Sequence, residues 1–312
     1  HKAVALSGPQ AGIMTDATFS KAKISAIDPT RLRRELDDGK IVIVAGFQGL
    51  TDDHDVATLG RGGSDTTAVA LAARLEADAC EIYTDVDGIY TADPRVVPEA
   101  RKLAGISFEE MLEMAQMGAR VMHPRAVELG QIYGMPITVR SSYSDREGTI
   151  IGVETGNKVT GIAHDADVAK ITIVGVPDRP GVAHALFAPL ADAAVNVDTI
   201  VQNVSHDGKT DISFTLHTTD LHSSQQVIEG LARDLGATSV LANPNMAKVS
   251  IVGTGIQNHP GYAARMFGAM SEAGINIDMI STSEIRITVL IERDRVAEAV
   301  RVLHRTFELD AA

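Results

Sequence analysis

The feature that most constrains this chain is an internal repeat in its C-terminal half. Lys170-Ile-Thr-Ile-Val-Gly175 returns 78 residues later as Lys248-Val-Ser-Ile-Val-Gly253. Two extra residues in the second copy move the offset to 80, where Pro180-Gly181 matches Pro260-Gly261, Phe187 matches Phe267, and Asn196-Val-Asp198-Thr-Ile200 matches Asn276-Ile-Asp278-Met-Ile280. A duplication of this length means one supersecondary unit used twice. Each copy reads strand, Pro-Gly turn, helix, strand, strand, helix. In the first copy Val182, Leu186, Leu190 and Ala193 fall on one helical face, and His206-Asp207-Gly208-Lys209 turns the chain into a strand over 210–217. The second copy closes its hairpin near Ser281 to Glu284 and then alternates Ile285, Ile287 and Val289 on one side. Helices on one face of a small antiparallel sheet give an α+β sandwich.

The N-terminal half has a different grammar. Lys40-Ile-Val-Ile-Val-Ala-Gly-Phe47 is a continuous apolar run, the pattern of a strand buried on both faces of a parallel sheet. A helix is expected from about Ser64 through Ala77, with Ser64 as N-cap, Asp65 in the first turn, and Ala68, Leu71, Ala72 and Leu75 at helical spacing. A second buried strand follows over 79–84, which favours a right-handed crossover in an open α/β sheet. Further helices are expected over 107–117 and 123–133, then a strand over 136–140. The Ser-, Gly- and acid-rich stretch 141–156 marks a boundary. The resulting division is 1–150, a connecting segment 151–168, and modules 169–245 and 246–312. His1 is not Met, and Ala3-Val4-Ala5-Leu6 reads as a strand already under way, so a segment is expected upstream.

Composition excludes several classes. The 312 residues hold 28 Lys plus Arg against 41 Asp plus Glu, a net charge of −13, which offers no electrostatic footprint for nucleic acid or anionic lipid. Neither is expected as a partner. The single cysteine, Cys80, lies in an apolar run, cannot form an intrachain disulfide and reads as core packing in a cytosolic protein. No uninterrupted apolar window approaches the roughly 18 residues of a membrane span, and no secretory signal opens the chain.

Two stretches could carry chemistry. Gly60-Arg61-Gly62-Gly63-Ser64-Asp65 places glycines before a helix start, where backbone N–H groups and the helix dipole favour an anion. Arg61 adds a planar fork suited to carboxylate or phosphate. A plain capped turn reads equally well from these residues, and neither a P-loop nor a dinucleotide fingerprint is present. Thr84-Asp-Val-Asp-Gly-Ile-Tyr-Thr-Ala-Asp-Pro-Arg95 follows a buried strand at its C-terminal end, where open α/β sheets bind ligands. It could hold a base, phosphates and a magnesium ion, or be turn chemistry alone. Asp52-Asp53-His54-Asp55 lacks a histidine partner at ligand spacing and reads as a solvated loop, while Met111, Met114 and Met117 read as core filling.

Taken together, GRGGSDTTAVALAA (Gly60 to Ala73), YTDVDGIYTADPR (Tyr83 to Arg95), GARVMHPRAVE (Gly118 to Glu128) and STSEIRI (Ser281 to Ile287) resemble the signatures of aspartate kinases, members of the amino-acid kinase family. The tandem repeat resembles paired ACT domains. The resemblance covers nearly the whole chain. It implies an α/β fold: an open, mostly parallel sheet of amino-acid kinase type, incomplete here, followed by two α+β ACT-like modules of ferredoxin type. It further implies ATP-dependent phosphorylation of L-aspartate to 4-phospho-L-aspartate, with ATP and Mg2+ as cofactors. Feedback by lysine or threonine, or both, and assembly into a homodimer or larger oligomer through the ACT modules are part of the same implication.

By motif match, Arg61 would grip the substrate α-carboxylate with Gly62, Gly63 and Ser64 beside it, and Asp65 would orient the catalytic lysine. Thr84, Asp85, Tyr90, Asp93, Arg95 and Arg120 would line the nucleotide site. No metal ligand is assigned. Effector ligands would be Asp178, Gly181, Val182, Ala183, Asn196, Asp198 and Gln202, with His259, Pro260, Gly261, Asn276, Ile277, Ser281 and Thr282 in the second copy. An alternative for the Asn-x-Asp motifs is that they shape strand ends. The family's N-terminal Lys-x-Gly-Gly-[Thr/Ser] motif and its upstream glutamate do not occur in these residues, and Arg120 stands where many members carry lysine. Little activity is therefore expected of these 312 residues alone. Two rival readings remain: another amino-acid kinase, of glutamate or UMP type, and a non-catalytic amino-acid-binding subunit.

Overall fold

Short strands packed by helices fill the first half of the chain, and two α+β repeats fill the second. The computed structural model describes every residue except Arg120, Asn157, Ser205, His206, residues 257–259 and Ala312. In chain order the elements are β1 (Ala3–Ser7), β2 (Ile13–Thr15), β3 (Ile24–Ile27), α1 (Thr30–Asp37), β4 (Ile41–Ala45), β5 (Gln48–Leu50), β6 (Val56–Thr58), α2 (Gly63–Leu75), β7 (Cys80–Thr84), β8 (Gly105–Ile106), α3 (Phe108–Gln116), α4 (Pro124–Tyr133), β9 (Ile137–Ser141) and β10 (Thr149–Ile151). The repeats contribute β11 (Gly161–Pro177), α5 (Val182–Asp192), β12 (Val197–Gln202), β13 (Lys209–His217), α6 (Thr218–Asp234), β14 (Ser239–Val252), α7 (Tyr262–Glu272), β15 (Met279–Thr282), β16 (Arg286–Glu292) and α8 (Val296–Thr306). Contacts divide the chain into two compact units. One is His1–Gly161 with Val252–Gly255 and Leu309–Ala312; the other is Ile162–Ile251 with Ile256–Glu308.

In the first unit β1 and β4 pair in parallel, and β7 pairs in parallel with β9 in a sheet ordered β7-β9-β10-β8. A second four-stranded sheet, β3-β2-β5-β6, went unread in the sequence because strands of three or four residues carry too few alternations. The apolar run of β4 differs from expectation. Val42 and Val44 pack toward Leu6 and Leu32, beside Leu71 and Leu75 of α2, but Ile41 and Ile43 are 53% and 57% exposed. Among the described residues helices cover the Val42 and Val44 face of the β1–β4 pair, and none covers the Ile41 and Ile43 face.

Helix boundaries also shift. Helix α2 begins one residue early, with Gly62 in the left-handed conformation as N-cap (φ 69°) in place of Ser64, and it stops at Leu75 because Glu76 takes φ 57°. Helix α3 follows its expectation closely. Ser107 caps it with a reciprocal capping box to Glu110, and Met111, Met114 and Met117 are core residues.

Glu110 itself is completely buried. Its carboxylate accepts hydrogen bonds from the Ser107 backbone amide (3.3 Å) and hydroxyl (3.2 Å), the hydroxyls of Thr155 (2.6 Å) and Thr160 (2.7 Å), and the Thr254 amide (3.1 Å). Dense donation of this kind is what makes a buried carboxylate tolerable.

The second unit is built on one six-stranded sheet, β12-β13-β11-β14-β16-β15, so the two repeats meet along their first strands, β11 and β14. The first repeat's core gathers Ile171, Ile173, Ile212 and Phe214 from the sheet with Leu186, Leu190, Ile228 and Ala232 from its helices. Ala193 lies outside this core; it caps α5 and is exposed. In β16 both faces are buried, Thr288 and Leu290 as well as Ile287 and Val289, so the expected one-sided alternation is absent.

Candidate functional site

The glycine-rich stretch is a tightly braced helix start. A Cβ placed on Gly62 would lie 2.3 Å from Cβ of His123, and one on Gly63 would lie 2.8 Å from Leu59 and from the Phe47 ring. Only glycine fits at these two positions. Below them the Thr67 hydroxyl donates to the Gly63 carbonyl (2.7 Å) and accepts from the Phe47 amide (3.1 Å), while Thr66 donates to the Gly62 carbonyl (2.9 Å).

Arg61 and Ser64 are exposed at the head of this structure, and the Ser64 hydroxyl lies 3.4 Å from an Asp65 oxygen. Asp65 is half-buried. Burial lifts its carboxyl above the usual range, against the opposing pull of the Ser64 hydroxyl, the nearby His123 ring and the His123 backbone amide. Its charge also reaches Cys80, whose thiol is pushed up to about 11, chiefly by burial.

The acidic stretch hangs from the C-terminal end of β7, the strand on which α2 packs. Thr84 donates to Asp85 at 3.0 Å. The Tyr90 hydroxyl donates to Asp87 at 2.7 Å, which holds the Asp87 carboxyl below the usual range and the Tyr90 phenol above it. Lys102 sits 3.5 Å from Asp87 and donates to the Glu147 carbonyl at 2.6 Å. Thr149 locks the turn by accepting from the Ile89 amide (2.8 Å) and donating to the Leu103 carbonyl (2.6 Å). Arg95 lies 89% exposed but is turned back in a bidentate pair with Asp93 (3.0 and 2.8 Å).

The two stretches are braced by different partners and share the α2–β7 pair as common support. Among the described residues no group of three metal-ligating side chains exists, and Asp52 to Asp55 form an exposed loop. Arg120 and His259 lie outside the described residues.

In the second unit the strand–helix turns match across the repeats. Gly181 (φ 93°) and Gly261 (φ 114°), each following an exposed proline, are the N-caps of α5 and α7. The Asp178 amide is bonded to the Gly208 carbonyl at the β12–β13 hairpin, which puts Asp178 and Gly181 at the Gln202 end of β12. Asn196 and Asp198 lie at the other end of that strand. Val182 is buried and Ala183 exposed. Pro260, Asn276 and Thr282 are exposed, and Ile277 and Ser281 half-buried.

The Asp198 carboxylate is engaged by the buried Lys248 ammonium, and its repeat equivalent Asp278 by Lys170 at 2.6 Å. Lys170 and Lys248 are themselves repeat equivalents, so each module's first strand holds the other's Asn-x-Asp aspartate. Sequence reading missed this exchange, although the two lysines stand at the same place in the repeated Lys-x-x-Ile-Val-Gly motif. It also passed over His123, Lys102 and Thr149.

Comparison with known proteins agrees with this layout. Residues 2–141 match the amino acid kinase family, and residues 170–235 and 249–307 each match an ACT domain. The molecule is thus an amino acid kinase joined to a tandem of ACT domains. An aspartate kinase of Stutzerimonas stutzeri is 50% identical over 314 residues, covering 99% of this chain and 76% of that protein. Aspartokinase III of E. coli, solved in its R-state with aspartate and ADP, is 28% identical at a TM-score of 0.83, covering 98% of this chain and 70% of that one. The T-state of the same enzyme, with lysine and aspartate, gives 29% identity at 0.76, over 98% and 69%. This chain belongs to the aspartate kinase family.

Proposed function

We propose that the chain carries the substrate and nucleotide sites for transfer of the γ-phosphoryl group of ATP to the side-chain carboxylate of L-aspartate, giving 4-phospho-L-aspartate and ADP. The supporting observation is the braced glycine start that leaves Arg61 and Ser64 exposed beside a half-buried Asp65. A guanidinium held by no ion pair among the described residues can grip the α-carboxylate with two parallel hydrogen bonds, and Ser64 adds a hydroxyl. Ser64 and the His123 amide already hold the Asp65 carboxylate, which in this proposal orients a cationic side chain. Positioning and charge neutralisation are what phosphoryl transfer asks of a protein.

For the nucleotide, Thr84, Asp85, Tyr90, Asp93 and Arg95 form one turn at a strand's C-terminal end. Its polar groups fit a ribose and phosphates once Arg95 swings from Asp93. Magnesium, when bound with the nucleotide, supplies neutralisation of phosphate charge. The scattered carboxylates here suit an ion that keeps most of its ligands from phosphate and water.

The 169–245 and 246–312 modules are the regulatory part in this proposal, with lysine or threonine bound at the Gly181 and Gly261 turns and copies of the chain assembled through these modules. E. coli aspartokinase III, captured with lysine, supports the choice of effector class. No described helix is long and apolar enough to cross a membrane, and the single buried Cys80 fits a cytosolic setting.

Calorimetry on Arg61→Ala tests the site. Aspartate affinity is expected to fall by about 2 kcal/mol, the loss of a charge-assisted bidentate contact. Unchanged affinity removes Arg61 from the site. Activity assays with aspartate, glutamate and UMP then separate this reaction from those of other amino acid kinases.

A further inference from the structure

The His123 amide helps hold Asp65, but its ring has no role assigned so far, and that ring packs directly against the glycine start. It is the N-cap of α4, with extended backbone (φ −78°, ψ 133°), and its Nδ1 accepts the Arg125 amide proton at 3.2 Å. An Nδ1 that accepts must be unprotonated, so the cap requires the neutral ring with its proton on Nε2. Burial, with Arg125 and Arg61 nearby, holds the imidazole below its usual range against the pull of Asp65, which keeps that form at neutral pH.

The other side of the same residue lies against Gly62. Cβ, Cγ and Cδ2 of His123 all fall within 2.5 Å of where a Gly62 Cβ would stand. Helix α2 has no side-chain cap of its own, and α2 and α4 pack together. Arg125 braces the approach to the glycines by donating to the Leu59 carbonyl at 3.4 Å. At Gly62 the left-handed turn between Arg61 and Ser64 is therefore packed from outside by the His123 ring, beside the Leu59 and Phe47 contacts to Gly63.

We propose that His123 is a positioning residue for the substrate turn: its ring fixes Gly62, and with it the direction of Arg61 and Ser64, while its Nδ1 separately caps α4. The inference rests on the aspartate reading of that turn. Two substitutions on the full chain take the roles apart. His123→Asn keeps a good cap and removes the ring; His123→Phe keeps a ring over Gly62 and removes the cap.

Aspartate titrations by calorimetry are expected to show about tenfold weaker binding for His123→Asn with Tm close to the parent, and affinity within about threefold of the parent for His123→Phe with Tm lowered. Affinity that follows Tm in both variants, or an unaltered affinity in His123→Asn, overturns the positioning role. Should His123→Phe fail to fold, the His123→Asn titration alone decides. A parent chain that binds no aspartate would instead sink the functional reading, so the two failures are distinct.

Discussion

At Asp65 burial and chemistry pull in opposite directions. Its folded pKa is raised by desolvation, so between the unfolded and folded values the native state binds more protons than the unfolded chain. Stability contributed by this group is therefore lost as pH rises through that window, and the ionised form is a net cost at neutral pH. Asp65→Asn keeps an acceptor for Ser64 and the His123 amide and removes the charge. It is expected to raise Tm, on the order of 1 °C for a chain of this size. A lower Tm in a thermal melt would mean that the charge is compensated. Glu110 is the contrary case, a buried carboxylate whose donors are all in place. Glu110→Gln turns one acceptor into a donor facing donors and is expected to cost about 2 kcal/mol in urea unfolding, less if the threonine hydroxyls rotate to accept. A change below about 0.5 kcal/mol would show that the network is dispensable. The capping box at Ser107 was legible because its partners are three residues apart. The bonds to Thr155, Thr160 and Thr254 were not, since nothing local marks residues 45, 50 and 144 positions away as neighbours.

Among the elements, the repeats give the sharpest contrast between what is duplicated and what is shared. Each first strand carries its lysine in the same motif, but each lysine pairs with the other module's aspartate. The pair at Lys248 is lopsided, its side chain 6% exposed against 52% for Asp198. Removing the exposed partner strands a buried ammonium, so Asp198→Ala is expected to destabilise by about 3 kcal/mol. Lys248→Met leaves an aspartate that water can reach and is expected to cost under about 1 kcal/mol. Equal losses in denaturant titrations of the two variants would refute this asymmetry. Most helices and longer strands were readable from apolar spacing. The start of α2 was not, because Ser64 is a better intrinsic cap than glycine, and the contacts of Gly62 with His123 and of Gly63 with Leu59 and Phe47 that accompany the earlier cap come from distant segments.

For the whole molecule, a chain of net charge −13 that handles an anionic metabolite must place its cations locally, as the proposed role of Arg61 would have it. The sequence by itself determined the duplication, the α/β and α+β classes, and the motifs that carry the resemblance, since these live in periodicities and short spacings that neighbouring residues enforce. Tertiary structure alone decided that Val42 and Val44 face the helices, that His123 packs against Gly62, that Glu110 collects donors from distant segments, and that Lys248 reaches Asp198. Those outcomes depend on which side chains packing brings within hydrogen-bond or van der Waals range. Separation along the chain carries no information about that.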